Sequence, residues 1–182
     1  MKIKVSFITE ENLEDLPESP GLPHNCKYCV YWEFPEEYIK SDKKKKKELM
    51  MQKKLGWLRT VRNEFGDCAI ILYVNEEPVG YAQYAPSKFL PNLANYPVIP
   101  SPDAVLISCL YIFEKEHRRH GFGTVLLIAI LENLENRAIK LVEVIARKGS
   151  ADNPAGPVEF YLKNEFRIYK DDKEFPLMRL EL

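Results

Sequence analysis

The amino-acid sequence predicts a single α/β domain, in which a central mixed, mostly antiparallel sheet of about six or seven strands is flanked by roughly four helices. Three features point there. Short apolar runs with strand-like alternation are interleaved with longer runs of helical period. Turn residues separate strand-like runs into hairpins. One apolar run, Val105 to Ile112, leads through an Arg- and Gly-rich turn into a helical run. With 182 residues, 46% of them hydrophobic and 29% charged, the chain can build one sizeable core and has little tendency to disorder.

The elements follow in order. Met1 to Val5 alternates as a strand should. A Pro-rich approach (Pro17, Pro20, Pro23) precedes the segment His24 to Glu33, which is dense in aromatics. Five lysines, Lys43 to Lys47, follow Ser41 and Asp42, either of which can cap a helix. Leu49, Met50, Trp57, Leu58 and Val61 then give that helix an apolar stripe up to about Asn63. Asp67 to Val74 and Val79 to Ala85 read as a hairpin around Asn75-Glu76-Glu77-Pro78. After the strand Val105 to Ile112, Val125 to Leu131 with Glu132, Leu134 and Glu135 reads as a helix. Lys140 to Ala146 is a further strand, and Gly156-Pro157 opens a short helix with proline in its first turn, where a missing N–H costs nothing. Phe166 to Tyr169 and Leu177 to Leu182 close the chain as a hairpin.

Composition bounds the partners. A net charge of −1 and a pI near 6.3 give no general pull toward nucleic acid or a membrane surface. No apolar stretch is long enough to span a bilayer, and the first residues lack a signal-peptide apolar block. Four scattered cysteines do not form the framework of a small secreted protein. A cytoplasmic location is the expectation, as a monomer or homodimer. The lysine run is read as a solvated first turn or leading loop rather than a polyanion site.

The turn after Val105 to Ile112 carries the chemistry. A helix N-terminus leaves N–H groups unpaired and partially positive, and glycines let a phosphate approach the main chain. The ATP-type phosphate loop is absent, and the dinucleotide fingerprint fails because Leu126 stands at its third glycine. The string Arg118-x-x-Gly121-x-Gly123, preceded by Leu110-Tyr111-Ile112, is similar to the pyrophosphate motif of the GNAT superfamily of acyl-CoA-dependent N-acyltransferases. Gly80-Tyr81-Ala82-Gln83-Tyr84 resembles that family's third strand, and Tyr161-x-Lys163-x-Glu165-Phe166 resembles its later Tyr-x-Lys-x-Gly-Phe string, with Glu165 in place of glycine. Asn153 lies one residue further from the tyrosine than is usual. The resemblance runs in order through residues 55–182.

That resemblance implies a GNAT-like domain, with residues 1–66 as an N-terminal strand and helical acceptor-side region. Residues 67–182 then hold the hairpin, the acyl-CoA-binding core and the C-terminal hairpin. It implies transfer of an acetyl group from acetyl-CoA, as co-substrate, to a primary amine on a small molecule or peptide, by direct attack through a tetrahedral intermediate. Coenzyme A would be held by Leu110, Tyr111 and Ile112 on the strand, by Arg118, Arg119, His120, Gly121, Phe122, Gly123 and Thr124 in the loop, and by Asn153 and Tyr161. The strand is expected to splay from its neighbour, with a main-chain N–H near Leu110 stabilising the oxyanion. Tyr161 would be the catalytic acid that protonates the departing thiolate. Trp32, Glu33, Tyr81 and Gln83 would bind the acceptor, an aromatic wall with one carboxylate for a cationic amine. The base stays open among Glu33 and a water oriented by Ser108 or Gln83. His117 and His120 read as loop residues or phosphate donors.

Two other readings stand beside this one. A non-catalytic acyl-CoA sensor or scaffold would keep the fold and the coenzyme site without turnover. Cys26-x-x-Cys29, with His24, suggests a zinc or redox protein, although a fourth zinc ligand is missing and Cys68 and Cys109 lie within apolar strands. No metal is therefore expected.

Overall fold

In a computed structural model the described residues are 1–18, 25–40, 46–150 and 153–182, with the side chains of 38–40 and 46 left out. Seven strands form one sheet in the order β1-β2-β3-β4-β5-β7-β6. In chain order they are β1 (Ile3–Phe7), β2 (Ala69–Val74), β3 (Glu77–Pro86), β4 (Val105–Ile112), β5 (Leu141–Ile145), β6 (Arg167–Lys170) and β7 (Leu177–Glu181). Four helices, α1 (Pro35–Lys40), α2 (Lys46–Glu64), α3 (Phe122–Asn136) and α4 (Val158–Lys163), lie among them. Every strand pair is antiparallel except β4–β5. The mixed, mostly antiparallel sheet is thus the one the sequence predicts. The capping residues Ser41 and Asp42, and Lys43 to Lys45, lie outside the described residues. Lys47 is exposed and pairs with Glu18.

Local chemistry sets the boundaries. Asn75 and Glu76 take φ of 49° and 74°, the two left-handed positions of a tight hairpin turn, and Asn75 Oδ1 accepts from Lys2 N. In α3, Phe122, Leu126, Leu127, Ile130 and Leu134 form a buried stripe at helical spacing. They pack on one sheet face with Ile70, Leu72, Ala82 and Ile107. The other face is covered by α2 through Met51, Trp57, Leu58 and Val61. Among the described residues no helix is long and apolar enough to cross a membrane.

Two irregularities in β4 matter for the site. The pairing with β3 sets Gln83 opposite Cys109 and Tyr84 opposite Ile107, so Ser108 is a bulge residue without a partner in register. Leu106 packs on the α2 side of the sheet, and beyond the bulge Cys109 and Tyr111 face that side in turn. An uninterrupted strand would have turned Ser108 and Leu110 there instead. The second irregularity is that β4 and β5 pair only from Val105 to Ile107, and part beyond it.

A buried polar cluster holds the long β3–β4 connection against the sheet. Glu143 on β5 is fully buried and accepts from Arg179 on β7 (2.9 Å) and from the Ser101 backbone (2.7 Å). That anchorage fixes the connection that carries Tyr96.

Glu165, which stands where the family string has glycine, takes φ of 69°. A side chain there costs about 1–2 kcal/mol, part of which glycine gives back through the entropy of the unfolded chain. Glu165→Gly should therefore stabilise the fold by about 0.5–1 kcal/mol, raising the melting temperature by about 1–4 °C in a thermal scan. An unchanged or lower melting temperature would mean that Glu165 carries compensating contacts.

Candidate active site

Where β4 leaves β5, a groove of about 1030 Å³ opens. Its floor is Leu110, Tyr111 and Ile112, and one end is the turn into α3. Leu110 N–H donates into the gap, and strand alternation turns the Ile112 N–H the same way. The turn is built to present N–H groups: Arg119 takes φ of 65° and Gly121, the residue capping α3, takes φ of 84°. A Cβ at Gly121 would meet no atom within 4 Å, so the glycine serves backbone conformation and open access. At Gly123 a Cβ would come within 3.3 Å of the Phe160 ring. Arg118, Arg119, Gly121, Gly123 and Thr124 line this end, and Gly156, Pro157, Phe160 and Lys163 form the opposite wall. An array of helix N–H groups flanked by two arginines fits an anion such as a pyrophosphate.

The loop residues divide. Arg118 lines the groove but braces β4, with Nη2 donating to the Tyr111 hydroxyl (2.7 Å) and the guanidinium over the Tyr111 ring. His120 is exposed, with Nδ1 donating to Arg118 O, and does not line the groove. Phe122 turns into the core beneath α3. His117 packs edge-on against Phe122.

Two of the residues expected at the reacting end make contacts within the chain. The Leu110 N–H donates to Pro154 O at 2.7 Å, so it is already committed and is not an open oxyanion donor. Tyr161 is 0% exposed, donates its hydroxyl to Ala155 O, and lies outside the groove. Burial pushes its phenol far above the ordinary range. Its neighbour Phe160 faces the groove instead, because adjacent helix positions differ by about 100°. Asn153 does line the groove, with Nδ2 donating to Gly156 O (3.1 Å).

A second, smaller cavity of about 240 Å³ lies on the α2 side of the sheet and shares Tyr111 and Asn153 with the groove. The two spaces are therefore neighbours with those residues in common. Trp32, Glu33 and Tyr81 line it, as expected of the acceptor segment, and Gln83 lies fully buried in hydrogen-bond contact with Glu33 and Tyr81. Trp32 stacks on Tyr96 with ring centroids 5.1 Å apart, and Tyr31 and Tyr96 join hydroxyls at 3.0 Å.

At its base is an ion pair that the sequence reading missed. Lys54 on α2 and Glu33 are each 4% exposed, and Lys54 Nζ lies 2.5 Å from Glu33 Oε1 and 2.5 Å from Gln83 Oε1. Gln83 Nε2 also donates to Glu33 Oε1 (2.9 Å), and the Tyr81 hydroxyl donates to Gln83 Oε1 (2.6 Å). Burial alone would depress the Lys54 ammonium, but the Glu33 carboxylate more than offsets it and the net shift is upward. Glu33 Oε2 and Trp32 Nε1 are buried with no hydrogen-bond partner among the described residues. A signal for Lys54 was present: it falls four residues after Met50 and three before Trp57, on the buried stripe of α2.

Cys26, Cys29 and Cys109 also line this cavity, none of them in a disulfide. Burial pushes Cys26 up to about 12 and raises Cys29 and Cys109, so all three are protonated and unreactive at neutral pH. Among the described residues no group of three or more His, Cys, Asp or Glu side chains is arranged to hold a metal ion. His24 lies outside the described residues.

The sequence pattern of the acetyltransferase (GNAT) family matches residues 28–166. The chain belongs to this family. Solved structures with the same fold include PaiA N-acetyltransferase from Thermoplasma acidophilum, in complex with coenzyme A. It is 16% identical, with both chains covered in full and a TM-score of 0.62. Ribosomal-protein-alanine N-acetyltransferase from Brucella melitensis is 17% identical over 98% of this chain and 99% of its own, with a TM-score of 0.59. An N-acetyltransferase from Staphylococcus aureus Mu50 is 12% identical over 100% and 99%, with a TM-score of 0.61. No curated protein sequence matches the chain.

Removing one partner of a buried ion pair strands the other charge, at a cost of about 3–5 kcal/mol. Lys54→Met should lose that much in urea denaturation, and adding Glu33→Gln should recover a good part of it. Because the folded-state value of Lys54 lies above its unfolded value of about 10.4, its contribution is complete below that pH. The contribution is lost as pH rises through the raised value. Alkaline titration should thus narrow the gap between wild type and Lys54→Met, and a constant gap would mean that the ammonium is not paired.

Proposed function

We propose that the protein is an acetyl-CoA-dependent N-acetyltransferase acting on a primary amine by direct attack. The observation that carries this is that a long groove ending at the α3 N-terminus and an aromatic-walled cavity lie side by side, with Tyr111 and Asn153 lining both. When bound, acetyl-CoA supplies a thioester carbonyl to the amine. The chain's part is to bind, orient and manage protons.

The unpaired N–H groups of the Arg119–Thr124 turn and the Arg119 side chain hold the pyrophosphate. The parted edge of β4 offers the Ile112 N–H to the pantetheine arm. Phe160 and the Gly123 backbone wall the same channel. Tyr111 brings a hydroxyl to the shared lining, where Arg118 donates to its oxygen at 2.7 Å. This arrangement favours Tyr111 for protonating the thiolate. Tyr161 then acts by holding Ala155, and with it the segment that ends the β4–β5 gap. A sensor that binds acyl-CoA without turnover would not need a second cavity beside the groove, so the cavity favours catalysis.

Calorimetry should detect coenzyme A binding, and acetyl-CoA with an amine should release free thiol. Gly123→Val crowds Phe160 and blocks the channel, so affinity should fall at least about tenfold. Normal binding by this variant would remove the groove from the reading.

The two tyrosines separate by kinetics. Tyr111→Phe should lower turnover by about 10- to 100-fold, in the range for losing a general acid. Tyr161→Phe should keep turnover within a few-fold and lose about 1–3 kcal/mol of stability by leaving Ala155 O unpaired. A large turnover loss in Tyr161→Phe with stability intact would return the acid role to Tyr161.

A further inference from the structure

The smaller cavity has a single carboxylate on its wall, and Lys54 already pairs with it. One oxygen of Glu33 is saturated by Lys54 and Gln83, while Oε2 stays buried and unpartnered among the described residues. A native buried carboxylate oxygen without a partner marks a place for a donor. Arg147 adds a second cation at the wall, itself paired with Glu174 at 2.9 Å. Around Lys54 stand the thiols of Cys26, Cys29 and Cys109 and the Tyr81 phenol, all held protonated by burial. Glu33 is the one carboxylate among the described residues that line the cavity. The walls cannot neutralise an acceptor that carries several positive charges.

Size and surface narrow the class further. A cavity of about 150 Å³ suffices for benzene, and drug-sized ligands take about 300 Å³ or more. At about 240 Å³ this one holds a ring and a short tether. Its aromatic wall, with Trp32 stacked on Tyr96 and Phe175 edge-on to Tyr96, offers faces and edges to such a ring.

Building on the acetyltransferase reading, we propose that the acceptor is a small monoamine with a compact aromatic body, that Glu33 Oε2 receives its amino group, and that Lys54 excludes polycations. The amine enters toward Tyr111 and Asn153, where the groove begins. As the N–C bond forms and the C–S bond breaks, Glu33 Oε2 takes the nitrogen's proton. The departing thiolate is protonated from the Tyr111 hydroxyl, and water restores both groups. Lys54 has a second effect: a cation beside the bound amine disfavours its ammonium form and so supplies more of the neutral nucleophile.

The experiment uses the whole chain with saturating acetyl-CoA and three acceptor types: phenethylamine, the polyamines putrescine and spermidine, and an alanine-initiated peptide. Thiol release gives kcat/KM, and calorimetry on coenzyme A-saturated protein ranks binding independently of turnover. Phenethylamine should exceed the others at least about tenfold by both measures. In Lys54→Met the polyamines should gain about tenfold relative to phenethylamine, and the pH at half-maximal kcat should rise by about one unit. Lys54→Arg should keep both wild-type values. Should Lys54→Met fail to fold, the wild-type ranking decides alone. A polyamine or the peptide ranking first overturns the proposal and leaves the acetyltransferase reading standing. Binding that ranks phenethylamine first, with no thiol released from any amine, supports the proposal for the cavity and overturns the enzymatic reading instead.

Discussion

The parting of β4 from β5 after Ile107 is the constraint on which the site depends. A parallel pair that continued to Ile112 would spend its backbone groups on the ladder and leave no channel. Because the strands separate, the N–H groups of β4 face a gap. The 153–156 segment closes only its near end, through Leu110 N–H to Pro154 O. The rest of the gap is the groove, and the connection from β4 delivers α3 with its N-terminus at the groove's far end. One topological choice thus places a strand edge, a helix terminus and a glycine turn on one line. The Ser108 bulge completes it by turning Cys109 and Tyr111 toward the second cavity.

What was legible follows from how local the cause is. The strands, the α3 stripe and the Arg118–Thr124 turn are written in short-range patterns, so their places were readable from spacing alone. The groove's composition was readable for the same reason, since nine of the expected residues line it and only His120, Phe122 and Tyr161 do not. Side-chain direction sets those three apart. A helix start inside a glycine turn decides whether Phe122 goes to the core or the groove, and a one-position difference in α4 exchanges Phe160 for Tyr161. Motif order does not carry that angle.

The smaller cavity was half legible. Trp32, Glu33, Tyr81 and Gln83 were drawn from aromatic density and strand position, and the structure gathers all four. Lys54 was hidden by its neighbourhood, since a lysine in a run of lysine-rich sequence reads as solvated. Only its phase with Met50 and Trp57 marked it as inward. Tyr96, Arg147 and Phe175 come from three distant connections, and nothing local says that they converge. The Glu143–Arg179–Ser101 cluster that fixes the Tyr96 connection joins residues 36 and 78 apart in sequence.

A buried ion pair is a poor way to gain stability, since an apolar pair of the same volume does as well or better. The Lys54–Glu33 pair therefore asks for another reason, and its asymmetry supplies one. Gln83 and Lys54 crowd onto a single carboxylate oxygen, while the other stays buried without a partner among the described residues, in a side chain that lines the smaller cavity. Satisfying both oxygens would need only one more donor in a region rich in Tyr hydroxyls. Leaving one bare costs stability in the empty protein and is recovered when a donor arrives. The lysine beside that carboxylate also offsets its long-range field, so in the proposed reading the site attracts a hydrogen-bond donor without attracting cations at large. Selection by contact rather than by charge is the consequence, and it requires the aromatic wall to supply the affinity that the field does not.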